Sequence, residues 1–196
     1  MSTVDRFNDA IRRIDEANRE DPRMEIGGGL PQPKELLFSQ RVYEWVRKLA
    51  PQASEALLLA ARAHTLRRWV IPRENFPKTT EGYHAWRNAL ALYHAQEAVT
   101  ILRGAGYEEA TIECVQRLIT RQDFPTNEDA RTLEDADCLV FIETKLHNYL
   151  DEWDDEKTLR ILQQTYFKMT PRGRSLIAQL QLPEASAAIL RRAVGG

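Results

Sequence analysis

Three polar side chains fall inside otherwise apolar helical stretches. His64 closes the run Leu57-Leu58-Leu59-Ala60-Ala61-Arg62-Ala63-His64. His94 follows Leu90-Ala91-Leu92-Tyr93, and Asp137 lies within the segment Leu133 to Phe141. Burying such groups costs free energy unless they are paired or ligate something. Two imidazoles and a carboxylate from separate helices form a donor set for one divalent cation. A metal so held would activate water or polarise a phosphoryl oxygen. Glu97, one turn beyond His94, and Glu134, one turn before Asp137, are the candidate general bases, and Asp135 could orient an imidazole.

A cationic segment adjoins the first histidine. Residues 62–73 contain Arg62, Arg67, Arg68 and Arg73 and no acid. His64, Arg67 and Arg68 stand three and four apart, which places them on one face if the helix continues to Trp69. Guanidinium groups take phosphate or carboxylate through paired hydrogen bonds. A second stripe, Tyr83, Arg87, Leu90, His94 and Glu97, recurs at helical spacing. It sets Arg87 and His94 about 10 Å apart on one face. Arg67, Arg68, Arg73 and Arg87 are therefore the expected anion-binding residues. Trp69 and Trp86, with Tyr83, could flank an aromatic group or pack in the core. The competing reading of the arginines is a set of surface ion pairs. His84 and His147 have polar neighbours and read as surface residues.

The elements that must position these residues are helices. Thr3 to Glu20 is amphipathic, with Val4, Phe7, Ile11 and Ile14 on one face, and Asp21-Pro22 stops it. Gly27-Gly28-Gly29-Leu30-Pro31 reads as a loop. Pro33 opens a second helix to about Leu49, and Pro51 a third to Trp69. Pro72 and Pro77 make residues 70–78 a loop. Thr79 or Thr80 caps a long helix ending at Gly104. Further helices cover Glu108 to Arg121, Asn127 to about Leu150, and Asp154 to Phe167. Pro171 and Pro183 each open a short one. The acidic cluster Asp151 to Glu156 reads as a solvated junction. No stretch shows the alternation of a half-buried strand. The expectation is one all-α domain over residues 1–196, a bundle of eight or nine helices.

Bulk properties narrow the function. Apolar residues make up 43% and charged residues 29% of 196, the balance of a soluble globular protein. The net charge of −2 argues against nucleic acid, and no apolar run approaches the roughly 20 residues that span a bilayer. Trp69 among arginines is compatible with RNA, but a continuous basic stripe is lacking. The first residues, Met1 to Arg6, lack the pattern of a signal peptide. Cys114 and Cys138 read as buried thiols of a cytoplasmic protein. Neither a CxxC zinc pattern nor a Gly-rich phosphate loop is present, so no organic cofactor is expected.

The order of these motifs resembles the HD-domain superfamily of metal-dependent phosphohydrolases, over about residues 36–142. The segment ending Arg62-Ala63-His64 resembles the helix that closes on a His-Asp pair. Tyr93-His94 through Gly106 resembles the helix carrying a further His, and Ala136-Asp137-Cys138-Leu139 resembles the Ala-Asp signature. Phe38 stands at the first His position, Thr65 replaces the Asp of the pair, and Arg121-Gln122 stand near the later His. The resemblance implies an HD-like core with an N-terminal helix and a C-terminal helical extension. With the bridging Asp gone, it implies at most one divalent ion.

The whole chain also resembles an uncharacterised family catalogued as a domain of unknown function. The segments that carry this are Ala17-Asn18-Arg19-Glu20-Asp21-Pro22, Glu35-Leu36-Leu37-Phe38-Ser39, residues 61–69, Ile71-Pro72-Arg73, Tyr83-His84-Ala85-Trp86-Arg87, Leu133-Glu134-Asp135 and Thr170-Pro171-Arg172-Gly173. Together these features predict a divergent hydrolase of a small phosphorylated or otherwise anionic metabolite. The alternatives are a non-catalytic anion- or nucleotide-binding protein using the arginines, and a helical interaction module with a buried polar network. The sequence leaves the oligomeric state open.

Overall fold

The computed structural model describes residues 3–150 and 154–195. Met1, Ser2, Gly196 and the first half of the acidic cluster, Asp151 to Trp153, lie outside the described residues. The architecture is an all-α bundle. Helix α1 (Thr3–Arg19) precedes a short antiparallel hairpin, β1 (Met24–Gly27) and β2 (Leu30–Pro33). Then follow α2 (Lys34–Leu49), α3 (Glu55–Ala63), α4 (Thr80–Gly104), α5 (Glu109–Thr120) and α6 (Glu128–Thr144). The chain continues with α7 (Leu146–Leu150), α8 (Asp155–Lys168), α9 (Pro171–Leu176) and α10 (Glu184–Val194). None of the described helices is long and apolar enough to cross a membrane.

The caps explain several boundaries. Side chains of Ser54, Thr79, Asn127, Asp154 and Thr170 each accept a hydrogen bond from the backbone N–H three residues on. This satisfies donors that a helix start leaves unpaired. Ser54, rather than Pro51, therefore opens α3. The core is one apolar cluster to which α1 gives Ile14, α2 Val42 and Val46, and α3 Leu57 and Leu59. Leu102 of α4, Val115 of α5 and Leu139 and Ile142 of α6 complete it. Helix α6 lies against α2 and α3, and α4 lies against α5.

Four features differ from the sequence reading. The expected loop at Gly27 to Pro31 is a hairpin, because Gly28 and Gly29 at φ 60° and 82° form a turn that matches strand twist. Helix α3 ends at Ala63 instead of reaching Trp69. His94 takes the Leu66 carbonyl through Nδ1 at 2.5 Å, and Asn18 Oδ1 accepts the Arg67 N–H at 3.0 Å. Arg67 then adopts a left-handed backbone at φ 53°. Helix α6 stops at Thr144, short of Leu150, with α7 restarting after Lys145. Of the two thiols, Cys138 is buried as expected but Cys114 is exposed.

The C-terminal extension is fastened to α6 by one carboxylate. Asp135 accepts the Thr170 N–H at 2.8 Å and the Thr170 hydroxyl. Gly173 packs directly on it: a Cβ there would stand 2.5 Å from Asp135 Cγ. Replacing Gly173 with Ala should cost about 1–3 kcal/mol in a urea melt, the range for overpacking a closed contact. A loss under 0.5 kcal/mol would show that the α6–α9 junction is loose.

Candidate functional site

The structure gathers charged side chains where α3, α4, α5 and α6 meet. His64 is the C-cap residue of α3. Its Nδ1 lies 3.1 Å from the Ala61 carbonyl, and its Nε2 lies 3.4 Å from Asp137 Oδ1. The other Asp137 oxygen is 3.3 Å from Arg121, whose second terminal nitrogen is 2.9 Å from Glu134. Lys168, the last residue of α8, reaches Glu134 Oε1 at 2.6 Å. The two α6 acids are thus tied to two cations and an imidazole. Burial works against the Asp137 charge, but the His64 hydrogen bond and the positive charges of His64, Arg121 and Arg87 outweigh it. The carboxyl is held well below its ordinary range.

Further cations surround this bridge. Arg68 lies over the Trp86 ring, 4.8 Å from its centroid, and is half-buried. Burial, followed by the like charge of Arg87, pushes its pKa down, while Glu35 and Asp137 oppose the shift. Lys145 sits over the Phe38 ring at 4.0 Å. Burial lowers its pKa as well, with Arg68 and Lys34 adding to the effect and Glu35 and Asp137 resisting it. The Phe38 ring in turn lies 5.9 Å from that of His64. Arg68, Arg87 and Lys145 have no carboxylate within 4.0 Å among the described residues. Glu35 is the leading opposing charge for Arg68 and Lys145; one of its oxygens pairs with Arg23 at 3.0 Å, and the other is buried without a hydrogen-bond partner.

The other expected site residues are engaged differently. Arg67 pairs with Glu20 at 2.9 Å and with Glu97 at 3.4 Å, so Glu97 is a structural partner of an arginine. With α3 ending at Ala63, Arg67 and Arg68 do not share a helical face with His64. Arg62 forms a two-pronged pair with Asp15 at 2.6 and 2.7 Å. Arg73 donates to the carbonyls of Phe76 and Pro77, which closes its own loop. Trp86 donates its indole N–H to Ile71 at 2.9 Å, fixing the same loop. Trp69 is half-buried in the 3-10 turn Arg68–Val70. Glu134, with each oxygen held by a cation, is spent as a base. His84 and His147 are exposed.

The divalent-ion donor set does not fit this arrangement. His64 and Asp137 converge, but His94 does not offer a ligand. Its Nδ1 is committed to Leu66, and its Nε2 is fully occluded without a polar partner. Among the described residues no group of three His, Cys, Asp or Glu side chains is placed to hold a metal ion. Arg121, Lys145 and Phe38 instead crowd the position. The sequence reading did not place Arg121, Lys145 or Lys168 in the site. Arg121 was visible only as the residue near the expected later His, and Lys145 carried no local signal.

His94 is a core histidine. Burial drives its pKa down from 6.5 to about 3, with the charges of Arg68, His64 and Arg87 adding to that and the Leu66 hydrogen bond opposing it. The unfolded chain takes up this proton near pH 6.5 and the folded chain does not. Stability is therefore complete above pH 6.5 and is lost as pH falls toward 3, at up to about 1.4 kcal/mol per unit. Between pH 6.5 and 5 the loss should be roughly 1.5 kcal/mol in urea melts, and His94→Gln should remove it. An unchanged slope in that variant would assign the proton to another group.

Comparison with known proteins gives a family and nothing beyond it. No curated protein and no solved structure matches this chain. Residues 8–190 match the family described as "Domain of unknown function (DUF4202)", and the match takes in every element from α1 to α10 that contributes to the charged cluster. The chain belongs to that family.

Proposed function

We propose that this protein binds a small phosphorylated metabolite in the cationic cluster at His64, Arg68, Arg87 and Lys145. The observation that carries the reading is the charge imbalance. Three cations, Arg68, Arg87 and Lys145, have no carboxylate partner among the described residues, and two of them are pushed down by burial. Grouping unpaired cations in a half-buried place is unfavourable unless an anion completes the set. Trp86 and Phe38 hold the Arg68 and Lys145 charges in place from the ring faces, leaving their donors for a ligand.

The HD-like resemblance is supported by the same geometry. Of the positions marked by its chain order, Phe38 lies beside His64 and Asp137 joins His64 to Arg121, while His94 is turned to the Leu66 carbonyl. Binding is favoured over hydrolysis because Glu97 and Glu134 are both committed to cations. We place the protein in the cytoplasm on the ground of its free cysteines.

Inorganic phosphate and pyrophosphate should raise the melting temperature of the wild-type protein, with the logarithm of concentration once it exceeds Kd. Arg87→Gln should weaken their binding roughly 10- to 100-fold, the loss expected for one charge-assisted contact. The same variant should melt at or above the wild-type temperature, because it relieves repulsion at a functional site. Loss of stability with unchanged phosphate affinity would make Arg87 structural and end the reading. Release of phosphate from a panel of phosphomonoesters would shift it to the hydrolase.

A further inference from the structure

Resting on the phosphate-binding reading, the geometry points to a cation cluster that takes its ligand without a divalent ion. Arg68, Arg87 and Lys145 supply the positive charge, and Arg121 and Lys168 seal the α6 carboxylates. Phosphate sites that use a metal need acids with free lone pairs to hold it. Here the two α6 acids are consumed, and Glu35 adds a single unpartnered oxygen, too few ligands to hold a dication. Asp137 gives one oxygen to His64 and the other to Arg121, and Glu134 gives its oxygens to Arg121 and Lys168. Arg121 thus crosses the two carboxylates at the place where a dication would be held, and it carries a fixed charge that cannot dissociate.

A second observation bears on the same point independently. Lys145 rides on the Phe38 ring beside His64, and Arg68 and Arg87 lie within electrostatic reach of both Asp137 and each other. A dication entering this cluster would meet cations on several sides. An anionic ligand meets the same side chains as donors. The local charge therefore selects for a ligand bringing two or more negative charges and against a free metal ion. With Glu134 and Asp137 matched against Arg121 and Lys168, and Asp21 and Glu35 sharing the one charge of Arg23, the cations Arg68, Arg87 and Lys145 leave a surplus of two, which matches a dianionic phosphate better than a monoanion.

Two titrations test this. Inorganic phosphate is titrated calorimetrically into protein stripped with EDTA, and again with millimolar Mg²⁺. Free Mn²⁺ is followed by electron paramagnetic resonance as protein is added. The expected results are phosphate affinities within about twofold of each other and no loss of the free Mn²⁺ signal. Sulfate at a pH where phosphate is dianionic should compete, and chloride should not. Phosphate binding that requires Mg²⁺, or Mn²⁺ bound near one per chain, would overturn the proposal while leaving the phosphate reading intact. Absence of phosphate binding under both conditions would overturn the reading itself. Arg121→Gln, which opens both carboxylates, should create Mn²⁺ binding that the wild-type protein lacks. The wild-type titrations decide the matter if that variant fails to fold.

Discussion

The charged cluster depends on two acids spaced one helical turn apart on α6. Glu134 and Asp137 are the counter-charge on which Arg121, Lys168 and His64 converge from three other parts of the chain. Without them, neighbouring guanidinium and ammonium groups would repel by several kcal/mol even at an effective dielectric near 20. Helix α6 can carry this pair because its other neighbours, Ala136, Leu139 and Val140, are fully buried and fix its position against α2 and α3. The acids satisfy part of the positive charge and leave the rest. That surplus falls on Arg68, Arg87 and Lys145, the cations to which the proposed ligand is assigned.

The helices were legible wherever a local rule governs them. Asn127 and Thr79 cap α6 and α4 as their side chains suggest, and Phe7, Ile11 and Ile14 of α1 face the core, although Val4 is exposed. The convergence of His64 with Asp137 also follows from polar residues set in apolar stretches. What local rules could not show is where distant groups interrupt a helix. The end of α3 is set by a histidine 28 positions beyond Leu66 and by an asparagine 49 positions before Arg67. Once the helix stops there, the spacing argument for Arg67 and Arg68 no longer applies, and the two side chains part. The Gly28-Gly29 turn was within reach of sequence reasoning, but Pro31 and Pro33 obscured the strand beside it.

The same limit explains why three polar residues resembled a metal site. A buried histidine and a ligating histidine look alike in sequence, since both stand in apolar surroundings. They differ in the second nitrogen. In His94 one nitrogen meets a carbonyl, as it would in a ligand, but the other is occluded, so the ring serves to hold the Leu66 turn. Phe38 and Arg121 make the contrast sharper. An aromatic ring and a guanidinium stand beside His64 and Asp137, where further ligands would be needed. An aromatic face draws in a cation such as Lys145, and an arginine takes the carboxylate a metal would use.

Backbone strain identifies what supports this site. Among the described residues only Arg67 and Arg121 adopt positive φ without being glycine, and each lies at the end of a helix or turn that borders the cluster. The left-handed conformation costs roughly 1–2 kcal/mol for such residues, and glycine would relieve it. Arginine is used at both places, and both side chains form ion pairs that glycine could not. At Arg67 the strain is held by the Asn18 side chain of α1, the helix whose Asp15 also pairs with Arg62. Three residues on, Asp21 accepts the backbone N–H of Glu35 and pairs with Arg23, which also holds Glu35. The segment Ala17 to Pro22 therefore governs both the turn that presents Arg68 and the acid that faces it. It does so although none of its side chains belongs to the cation cluster.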